Sequence, residues 1–446
     1  MQPRFDVVVL GSGVAGLSAA SILSDRFPAL LLLDSFGQLG GTQRSIEANG
    51  YTFDIGSYFF NPNAILFQRH PKLLESTLPA PCRSQRIRPD GSVASYPFSP
   101  HELREPGLRH KGAFGLSFLA GRFAPRLDSN LEQACHRMIG KAFYEYSGLS
   151  NYVARFYGDD LPASRISPIF VEKRLQFLHK RTRIGSAMKT VRDGYFPDRA
   201  PATPEPNQPV QPAAPGRVRA EAGFSVMYEP VAADLIGRGV TIRLNQALLG
   251  IRRTSSGYLV TTPDGEIEAG QIVSTLPVQL LLELIGKPVE PALPSGGLLT
   301  LCVSFAGKRG FDAGVLFNFH GSGKWKRLTM HSDFYGPRNE REYFSVEVSV
   351  KDEHTLSPAQ AFADFRQSVQ AHGLFEGDLR FEESAYTPFA YPRYELGYEK
   401  ALSAAMAMID ESGIVVAGRQ GCFDYLPTSG LITNQVSALL QPLVAG

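Results

Sequence analysis

The segment Phe-Asp-Val-Val-Val-Leu-Gly-Ser-Gly-Val-Ala-Gly, residues 5–16, decides the fold. Its first half, residues 5–10, is short and rich in β-branched side chains, which is typical of a strand buried on both faces. The glycine-rich half follows at once, and residues 17–23 then place apolar and small side chains at helical spacing. The segment therefore predicts a strand, a tight turn and a helix in direct succession.

Each glycine of this turn has an expected physical task. Gly11 permits the tight turn, Gly13 lets a ligand approach the backbone because it has no Cβ, and Gly16 lets the helix lie close to the strand. The free N–H groups at the start of the helix favour phosphate oxygens, so the turn is a predicted pyrophosphate site. The residues predicted to bind there are Gly11, Ser12, Gly13, Val14, Ala15 and Gly16.

A second apolar run, residues 30–33, ends at Asp34, where dinucleotide-binding folds place an acidic residue for the ribose hydroxyls. The glycine pair Gly40–Gly41 follows, and this segment resembles the second signature of FAD-dependent oxidoreductases. A glycine pair lets a loop lie against the long ribityl chain, and Arg44 is suited to neutralise a diphosphate or an anionic flavin. FAD is therefore the predicted cofactor. The predicted contacts in this segment are Asp34, Ser35, Gly41, Thr42, Gln43 and Arg44.

Together these motifs resemble the amine oxidase and protoporphyrinogen oxidase-like FAD superfamily, which includes UDP-galactopyranose mutase-like enzymes. Residues 50–60 are similar to the family segment beside the flavin, residues 272–277 to a strand end that re-enters the FAD domain, and residues 418–432 to the closing FAD motif. Tyr58 stands where many mutase-like members carry histidine. The resemblance implies further FAD contacts at Gly56, Ser57, Leu248, Thr275, Gly418, Arg419, Gly430, Leu431 and Ile432.

The resemblance also implies an α/β fold, with a Rossmann-like FAD-binding domain assembled from discontinuous segments and an α+β substrate-binding domain. The predicted FAD-binding segments are residues 1–75, 217–285 and 408–446, and the predicted substrate-domain inserts are 76–196, mainly helical, and 286–407, mainly β-sheet. The proline-rich residues 197–216 are predicted to be a linker. Further predicted elements are a hairpin at 90–91, a helix at 228–236, a continuation of the sheet edge at 246–251, strands at 298–305, 315–319 and 343–350, and a helix at 358–372.

The expected activity follows from the cofactor. Flavin takes a hydride from a substrate C–H bond, so the protein needs to bind, orient and exclude water more than to supply a strong acid or base. The expected substrate is a small molecule, an amine, alcohol or C–C unit, in a bacterial biosynthetic pathway. Tyr58, Arg393 and Tyr425 are predicted to lie near the flavin ring, where aromatic walls orient substrates.

Two other functions stay open. One is a redox-neutral sugar mutase, which a basic stretch at residues 171–192 and the tyrosine-rich residues 391–398 favour and Tyr58 disfavours. The other is a non-catalytic flavoprotein, which the intact first and last FAD motifs disfavour.

Residues 171–192 form a basic stretch with seven lysines and arginines, from Lys173 to Arg192. The stretch suits an anionic substrate, anionic lipid head groups or simply a solvated helix face. Lys308 has the residue type of a flavin-side lysine, but its glycine neighbours indicate a turn.

The composition argues against several classes of protein. The 446 residues are 43% hydrophobic and carry a formal net charge of +2, which lacks the positive field that nucleic-acid binding needs. The four cysteines are far apart, and the histidines show no metal-ligand spacing. No apolar run has the length of a membrane span and no signal peptide is recognised. We expect a cytoplasmic protein without a metal, with peripheral membrane contact left open.

Overall fold

The computed structural model describes residues 4–56, 60, 64–80, 83–98, 102, 107–123, 129–158, 161–178, 216–287 and 293–445. Its strands are β1 (Arg4–Leu10), β2 (Leu30–Leu33), β3 (Arg44–Ala48), β4 (Tyr51–Ile55), β5 (Thr77–Pro79), β6 (Ser84–Ile87), β7 (Val93–Ser95), β8 (Arg217–Arg219), β9 (Thr241–Arg243), β10 (Gly250–Thr254), β11 (Gly257–Thr262), β12 (Gly265–Ser274), β13 (Ser295–Arg309), β14 (Val315–Asn318), β15 (Trp325–Met330), β16 (Glu342–Val350), β17 (Phe375–Pro392) and β18 (Val415–Val416).

The described helices are α1 (Val14–Leu23), α2 (Ile65–Arg69), α3 (Lys72–Glu75), α4 (Leu108–Phe123), α5 (Leu131–Ile139), α6 (Lys141–Tyr146), α7 (Leu149–Phe156), α8 (Ile169–Lys173), α9 (Phe224–Gly237), α10 (Val278–Leu284), α11 (Ser332–Tyr335), α12 (Pro358–Ala371), α13 (Tyr398–Ser412), α14 (Gly418–Gly421) and α15 (Ser429–Ala445). Two short 3-10 turns cover residues 163–165 and 176–178. Among the described residues, no helix combines the length and apolar character needed to cross a bilayer.

One sheet carries the strand, turn and helix that the sequence predicts at its start. Its strands run in the order β10-β11-β12-β1-β2-β9, and β18 pairs with the end of β12. β1 is parallel to both β2 and β12, and Val7, Val8 and Val9 have no exposed surface. The continuous apolar run of β1 is therefore explained by burial on both faces, as expected for a Rossmann-like sheet.

The segment after β9 departs from its prediction. Residues 246–249 form no strand, and β10 begins at Gly250 on the opposite edge of the sheet. Asn245 has a φ of +57°, and the Gln246 N–H donates to the carbonyl oxygen of Asp34 at 2.9 Å. These two features turn the chain across the carboxyl ends of the strands, so it does not continue the edge next to β9.

A second sheet has the order β17-β13-β16-β15-β14-β6-β7. Its neighbours are antiparallel except for β6 and β14. The strands predicted at 298–305, 315–319 and 343–350 lie within or on β13, β14 and β16, and the predicted hairpin at 90–91 joins β6 to β7. The predicted helix at 358–372 is α12, which begins with a capping box between Ser357 and Gln360.

Helices α5, α6, α7 and α8 join the two sheets through one continuous apolar core. This core contains Val8 and Ile272 of the first sheet, Phe156 of α7, and Phe317 and Tyr391 of the second sheet. The two sheets are therefore held at a fixed relation, with the α7–α8 region between them. The predicted domain boundaries remain predictions.

Candidate functional site

Contacts within the protein shape the glycine-rich turn between β1 and α1. Gly11 has a φ of +95°, and a Cβ added there would lie 2.5 Å from Thr275 Oγ1. A Cβ on Gly16 would lie 1.7 Å from the carbonyl oxygen of Gly11. The packing of the turn therefore requires glycine at both positions.

Gly13 differs from the other two glycines of the turn. Its φ is −67°, which any residue can adopt, and an added Cβ would come no closer than 3.6 Å to Gly41 Cα. Packing against the described residues does not explain a glycine here, whereas a ligand that touches the backbone does. The first turn of α1 follows directly, and its N–H groups lack partners within the helix. The turn therefore fits a pyrophosphate group.

The glycine pair at residues 40–41 lies against this turn. Gly40 N–H donates to the carbonyl oxygen of Ser12 at 2.9 Å, and a Cβ on Gly41 would lie 2.9 Å from Gly13 Cα. The sequence prediction placed the pair against a ribityl chain; the contacts given by the structure are with the backbone of the turn. The pair therefore helps to hold Gly13 in place.

Asp34 stands at the carboxyl end of β2. Its Oδ2 accepts hydrogen bonds from the N–H and the hydroxyl of Ser12, both at 2.6 Å, and its Oδ1 accepts one from Phe36 N–H at 2.9 Å. The Arg44 guanidinium lies 3.7 Å from the Phe36 ring centroid, and its Nε is buried without a hydrogen-bond partner among the described residues. Burial lowers the pKa of Arg44, although Asp34 acts in the opposite direction. An anionic group beside Arg44 would satisfy this donor.

The C-terminal segment, from Gly418 onward, packs against the first turn of α1. Gly418 has a φ of +81°, and a Cβ added there would lie 2.5 Å from Ala15 Cβ in the first turn of α1. α15 packs along α1 and begins at Ser429, whose hydroxyl is buried without a partner among the described residues. The structure thus brings together the predicted contacts of both chain ends. In the first turn of α15 these are Gly430, Leu431 and Ile432.

The remaining predicted contacts have varied surroundings. Thr275 Oγ1 donates to the carbonyl oxygen of Leu10 at 2.9 Å, and Gln43 accepts a hydrogen bond from the Tyr228 hydroxyl. Both side chains therefore support the turn and its loop from inside the protein. Ser35 is exposed, and Thr42 and Leu248 are half-buried. Ser57 and Tyr58 lie outside the described residues, as does most of the basic stretch, from residue 179 onward.

A second group of polar residues lies on the second sheet, where β15 is irregular. The register of β15 against β16 shifts between Trp325 and Arg327, so Trp325 opposes Val348 while Arg327 opposes Glu347. Such a bulge places successive side chains on one side of the strand. Lys326 and Arg327 therefore both reach Glu347, which is 4% exposed.

The two cations do not share Glu347 equally. Arg327 forms a close ion pair with Glu347 and also donates to the carbonyl oxygen of Gly56 at 3.1 Å, whereas Lys326 Nζ is 3.4 Å from Glu347 Oε2. Burial of Glu347 raises the pKa of its carboxyl group, but the attraction of Arg327 and Lys326 is stronger, so the pKa is lowered overall. Burial lowers the pKa of Lys326 to about 7, against the attraction of Glu347. Lys326 is thus the weakly compensated member of the group.

Aromatic rings surround these charges. Lys326 Nζ lies 3.9 Å from the Tyr391 ring centroid and 5.0 Å from that of Phe156. Arg174 lies 5.3 Å from the Phe156 centroid and 5.8 Å from that of Tyr425, and Arg419 lies 5.9 Å from both tyrosine rings. We name this group the cation–aromatic cluster. It consists of Phe156, Arg174, Lys326, Arg327, Glu347, Tyr391, Arg419 and Tyr425.

The cluster has two links to segments that are predicted to bind FAD. Arg419 directly follows Gly418, which packs on Ala15, and Arg327 bonds the carbonyl oxygen of Gly56, a predicted flavin neighbour. The edge of the cluster is half-buried at Arg174, Arg419 and Tyr425. A molecule held there would therefore lie next to a dinucleotide bound at the turn.

The structure separates the predicted residues near the flavin ring. Tyr425 belongs to the cation–aromatic cluster, and its N–H donates a hydrogen bond to the Tyr394 hydroxyl oxygen at 2.7 Å. Arg393 is 4% exposed, and its Nε lies 3.0 Å from Glu395 Oε1. The guanidinium of Arg393 is therefore engaged in an ion pair on its own segment. Its placement near the flavin ring stays a prediction.

Sequence reasoning did not single out Lys326 and Glu347, and it named Arg174 only within the basic stretch. A signal for Glu347 is present, since it is the one carboxylate within residues 343–350 of β16, which are otherwise apolar residues and serines. A buried carboxylate requires cationic or hydrogen-bonding partners. The sequence does not reveal that those partners come from a bulge in β15.

The fold and the site define a class: a Rossmann-like dinucleotide-binding unit joined to a second, mainly antiparallel sheet. The profile of NAD(P)-binding Rossmann-like domains matches residues 9–73, and that of flavin containing amine oxidoreductases matches residues 120–422. The chain therefore belongs to the flavin containing amine oxidoreductase family. Its cofactor is FAD, which the open Gly13 turn and the unpartnered donor of Arg44 fit.

Individual relatives are distant. Chloroplastic protoporphyrinogen oxidase of Nicotiana tabacum is 22% identical over 310 residues, which cover 65% of this chain and 54% of that protein. The chain thus spans about half the length of this relative. A crystal structure of reduced UDP-galactopyranose mutase superposes with a TM-score of 0.79 at 16% identity, covering 99% of this chain and 96% of that one. Putrescine oxidase bound to putrescine superposes with a TM-score of 0.59 at 15% identity, covering 99% of each chain.

Proposed function

We propose that this chain is an FAD-dependent oxidoreductase that takes a hydride from a small anionic substrate held at the cation–aromatic cluster. The observation that carries the proposal is the surplus of positive charge in that cluster. The cluster contains four basic side chains and one carboxylate: Lys326 and Arg327 pair with Glu347, whereas Arg174 and Arg419 lie over aromatic rings. A carboxylate or phosphate group on the substrate would supply the missing negative charge.

The same surplus argues against a cationic amine as substrate. Two like charges 4 Å apart repel by about 4 kcal/mol at the effective dielectric of a partly buried site. An ammonium group bound near the permanently charged Arg174, Arg327 and Arg419 would face this repulsion, because Glu347 is already paired with Arg327. Of the three expected substrate groups, an alcohol or C–C unit on an anionic molecule is favoured over an amine.

Different residues of the chain then bind the cofactor and the substrate. When bound, FAD supplies the redox chemistry by accepting the hydride. The turn at Gly13 and the start of α1 hold the pyrophosphate. Arg174 and Arg327 bind the anionic group of the substrate, and Tyr391 and Tyr425 exclude water and orient its apolar part.

An anaerobic absorbance experiment tests this proposal. The purified holoprotein is mixed with pairs of substrates that differ in charge alone, each carboxylic acid or phosphate ester being matched with its neutral amide or methyl ester. We expect an anionic member to bleach the flavin band and its neutral partner to do so at least tenfold less well. Bleaching by amines such as putrescine, without bleaching by any anion, would contradict the proposal.

A redox-neutral mutase acting on a nucleotide sugar is the second candidate. Its support is the superposition on UDP-galactopyranose mutase over nearly the whole chain, combined with the presence of two guanidinium groups in the cluster, those of Arg174 and Arg327, which suit a diphosphate. The two candidates differ in their products. Dithionite-reduced protein incubated with UDP-galactopyranose would form the furanose isomer with no net flavin oxidation if the second candidate is right, and no isomer if it is wrong.

A further inference from the structure

We propose that Lys326 makes anion binding at the cation–aromatic cluster proton-linked. In the free site Lys326 exchanges between its neutral and charged forms near neutral pH, and an anionic ligand draws a proton onto its Nζ. This inference rests on the proposed function, because it takes the cluster to be the substrate site.

The division of Glu347 between two cations gives the first argument. Arg327 holds the close ion pair, and Lys326 has Oε2 of the same carboxylate at 3.4 Å. One carboxylate neutralises one cation, so the other remains an uncompensated buried charge, which is costly. A guanidinium does not lose its proton in proteins, whereas a lysine ammonium does. Lys326 is therefore the residue that can lose its proton, and its neutral form removes the uncompensated buried charge.

The surroundings of Lys326 give the second argument. Its side chain is 3% exposed, and Nζ has no hydrogen-bond partner among the described residues. The groups that face it are Glu347 on β16, Arg327 on its own strand, Arg174 after α8, and the rings of Tyr391 on β17 and Phe156 on α7. Two of the three charged neighbours are cations, so they oppose protonation. The pKa of Lys326, lowered to about 7 by burial, agrees with this arrangement.

The bulge in β15 gives the third argument. In a regular strand Lys326 and Arg327 would point to opposite faces of the sheet. The register shift between Trp325 and Arg327 brings both to Glu347. The bulge thus brings two cations close together. A single bound anion reduces the electrostatic repulsion between them.

Thermodynamic linkage then fixes the sign of the effect. An anion near Lys326 favours its charged form and raises its pKa, so binding takes up a proton at pH values above the pKa of the free site. Affinity is full below about pH 7 and falls up to about tenfold for each further pH unit, until the pKa of the complex is reached.

Isothermal titration calorimetry of the flavin-loaded protein tests the inference with methanedisulfonate, a dianion of diphosphate shape that does not titrate between pH 6 and 8. Titrations in two buffers of different ionisation enthalpy give the number of protons taken up. We expect about half a proton at pH 7 for the wild type and a loss of affinity of about tenfold or less from pH 7 to 8. Lys326→Arg, permanently charged, should bind without proton uptake and with flat affinity, and Lys326→Met should bind more weakly at pH 6.

The outcomes separate the two proposals. Binding by the wild type with no proton uptake and equal affinity at pH 6 and 8 overturns the linkage and leaves the anionic substrate site standing. Failure of both the wild type and Lys326→Arg to bind at pH 6 overturns the anionic site and the linkage with it. The wild-type measurement decides the matter even if a variant fails to fold, and the flavin spectrum of each variant reports its fold.

Discussion

The glycine-rich turn and the cation–aromatic cluster are built from different kinds of contact. The turn is made of backbone packed on backbone, with Gly16 facing the Gly11 carbonyl oxygen and Gly41 facing Gly13 Cα. The cluster is made of long charged and aromatic side chains, and Lys326 and Glu347 stand at its centre. The turn comes from one short segment plus the Gly40–Gly41 loop, whereas the cluster draws on α7, the end of α8, β15, β16, β17 and α14.

The difference indicates where each region is vulnerable. The turn loses stability when a Cβ is added at Gly11 or Gly16, because neighbouring atoms already occupy that space. The cluster fails when a charge is removed, because its members compensate each other. Adding a methyl group to the turn and removing a charge from the cluster should therefore change stability in different ways, and only the change in the cluster should depend on pH.

The largest effect is expected for Gly16→Ala. Its Cβ would lie 1.7 Å from a backbone oxygen, so α1 must move away from β1, at a cost of about 3 kcal/mol or more. Chemical denaturation of the apoprotein measures this cost. Gly13→Ala is the matched control, since its Cβ meets Gly41 Cα at 3.6 Å. It should leave apoprotein stability within about 0.5 kcal/mol while weakening FAD binding at least tenfold. Equal loss of stability in both variants would contradict the distinction between the two glycines.

Glu347→Gln should come next. It leaves Lys326 and Arg327 buried without a carboxylate, at a cost of about 3 kcal/mol at pH 7. The loss should shrink toward pH 9, where Lys326 is neutral in the folded protein. Denaturation midpoints at the two pH values measure this change. The exposed Glu383→Gln on β17 is the control and should change stability by less than about 0.5 kcal/mol. A pH-independent loss in Glu347→Gln would count against the described charge balance.

A smaller, graded effect is expected from His331, which is 1% exposed beside the ion pair of Asp54 and Arg219. Its Nε2 accepts a hydrogen bond from Asp54 N–H at 3.3 Å. Burial lowers the pKa of His331 to about 4, with Asp54 opposing the shift. Between about pH 6.5 and 4 the unfolded chain therefore binds more protons, and acidification destabilises the fold by up to about 1.4 kcal/mol per pH unit.

Unfolding free energies of the wild type and His331→Asn at pH 7, 6 and 5 test this contribution. The wild type should lose more stability than the variant on acidification. Parallel curves for the two proteins would mean that His331 binds the same number of protons in the folded and unfolded states, which would contradict a lowered pKa in the folded protein.

The smallest effect is expected for Ser12→Ala. The hydroxyl of Ser12 donates to Asp34 Oδ2 at 2.6 Å, and its loss should cost about 1 kcal/mol or less, because the backbone N–H of the same residue still bonds Oδ2. Flavin affinity should change less than threefold. Asp34→Ala should instead lower flavin affinity at least tenfold, as measured by fluorescence quenching. A larger effect on FAD binding from Ser12→Ala than from Asp34→Ala would reverse the roles given to these residues.

The regions that the sequence predicts well are those whose information is local. The β1 strand, its turn and α1 occupy about twenty consecutive residues, and the constraint on Gly11 and Gly16 is visible in their spacing. The strands at 298–305 and 343–350 are short segments in which apolar and β-branched residues predominate, so they were also predicted. FAD as cofactor follows from the same local motifs.

The regions that the sequence does not predict depend on long-range pairing. β17 was not predicted, because it lies at the edge of its sheet and carries Glu376, Asp378, Arg380 and Glu382 among its apolar residues. The meeting of Lys326 with Tyr391 depends on a bulge in one strand and on the path of another. Neither has a sequence signature of its own.

The position of Gly418 against Ala15 has a consequence for how the protein is made. The first sheet and its helical cover need β18 and α15, which lie about four hundred residues after β1 in the chain. On the ribosome, β1 and α1 emerge long before the segments that cover them. The apolar surface of α1 that packs on α15 therefore stays uncovered by α15 during translation, and the first sheet gains its last strand only after residues 415–416 have been synthesised.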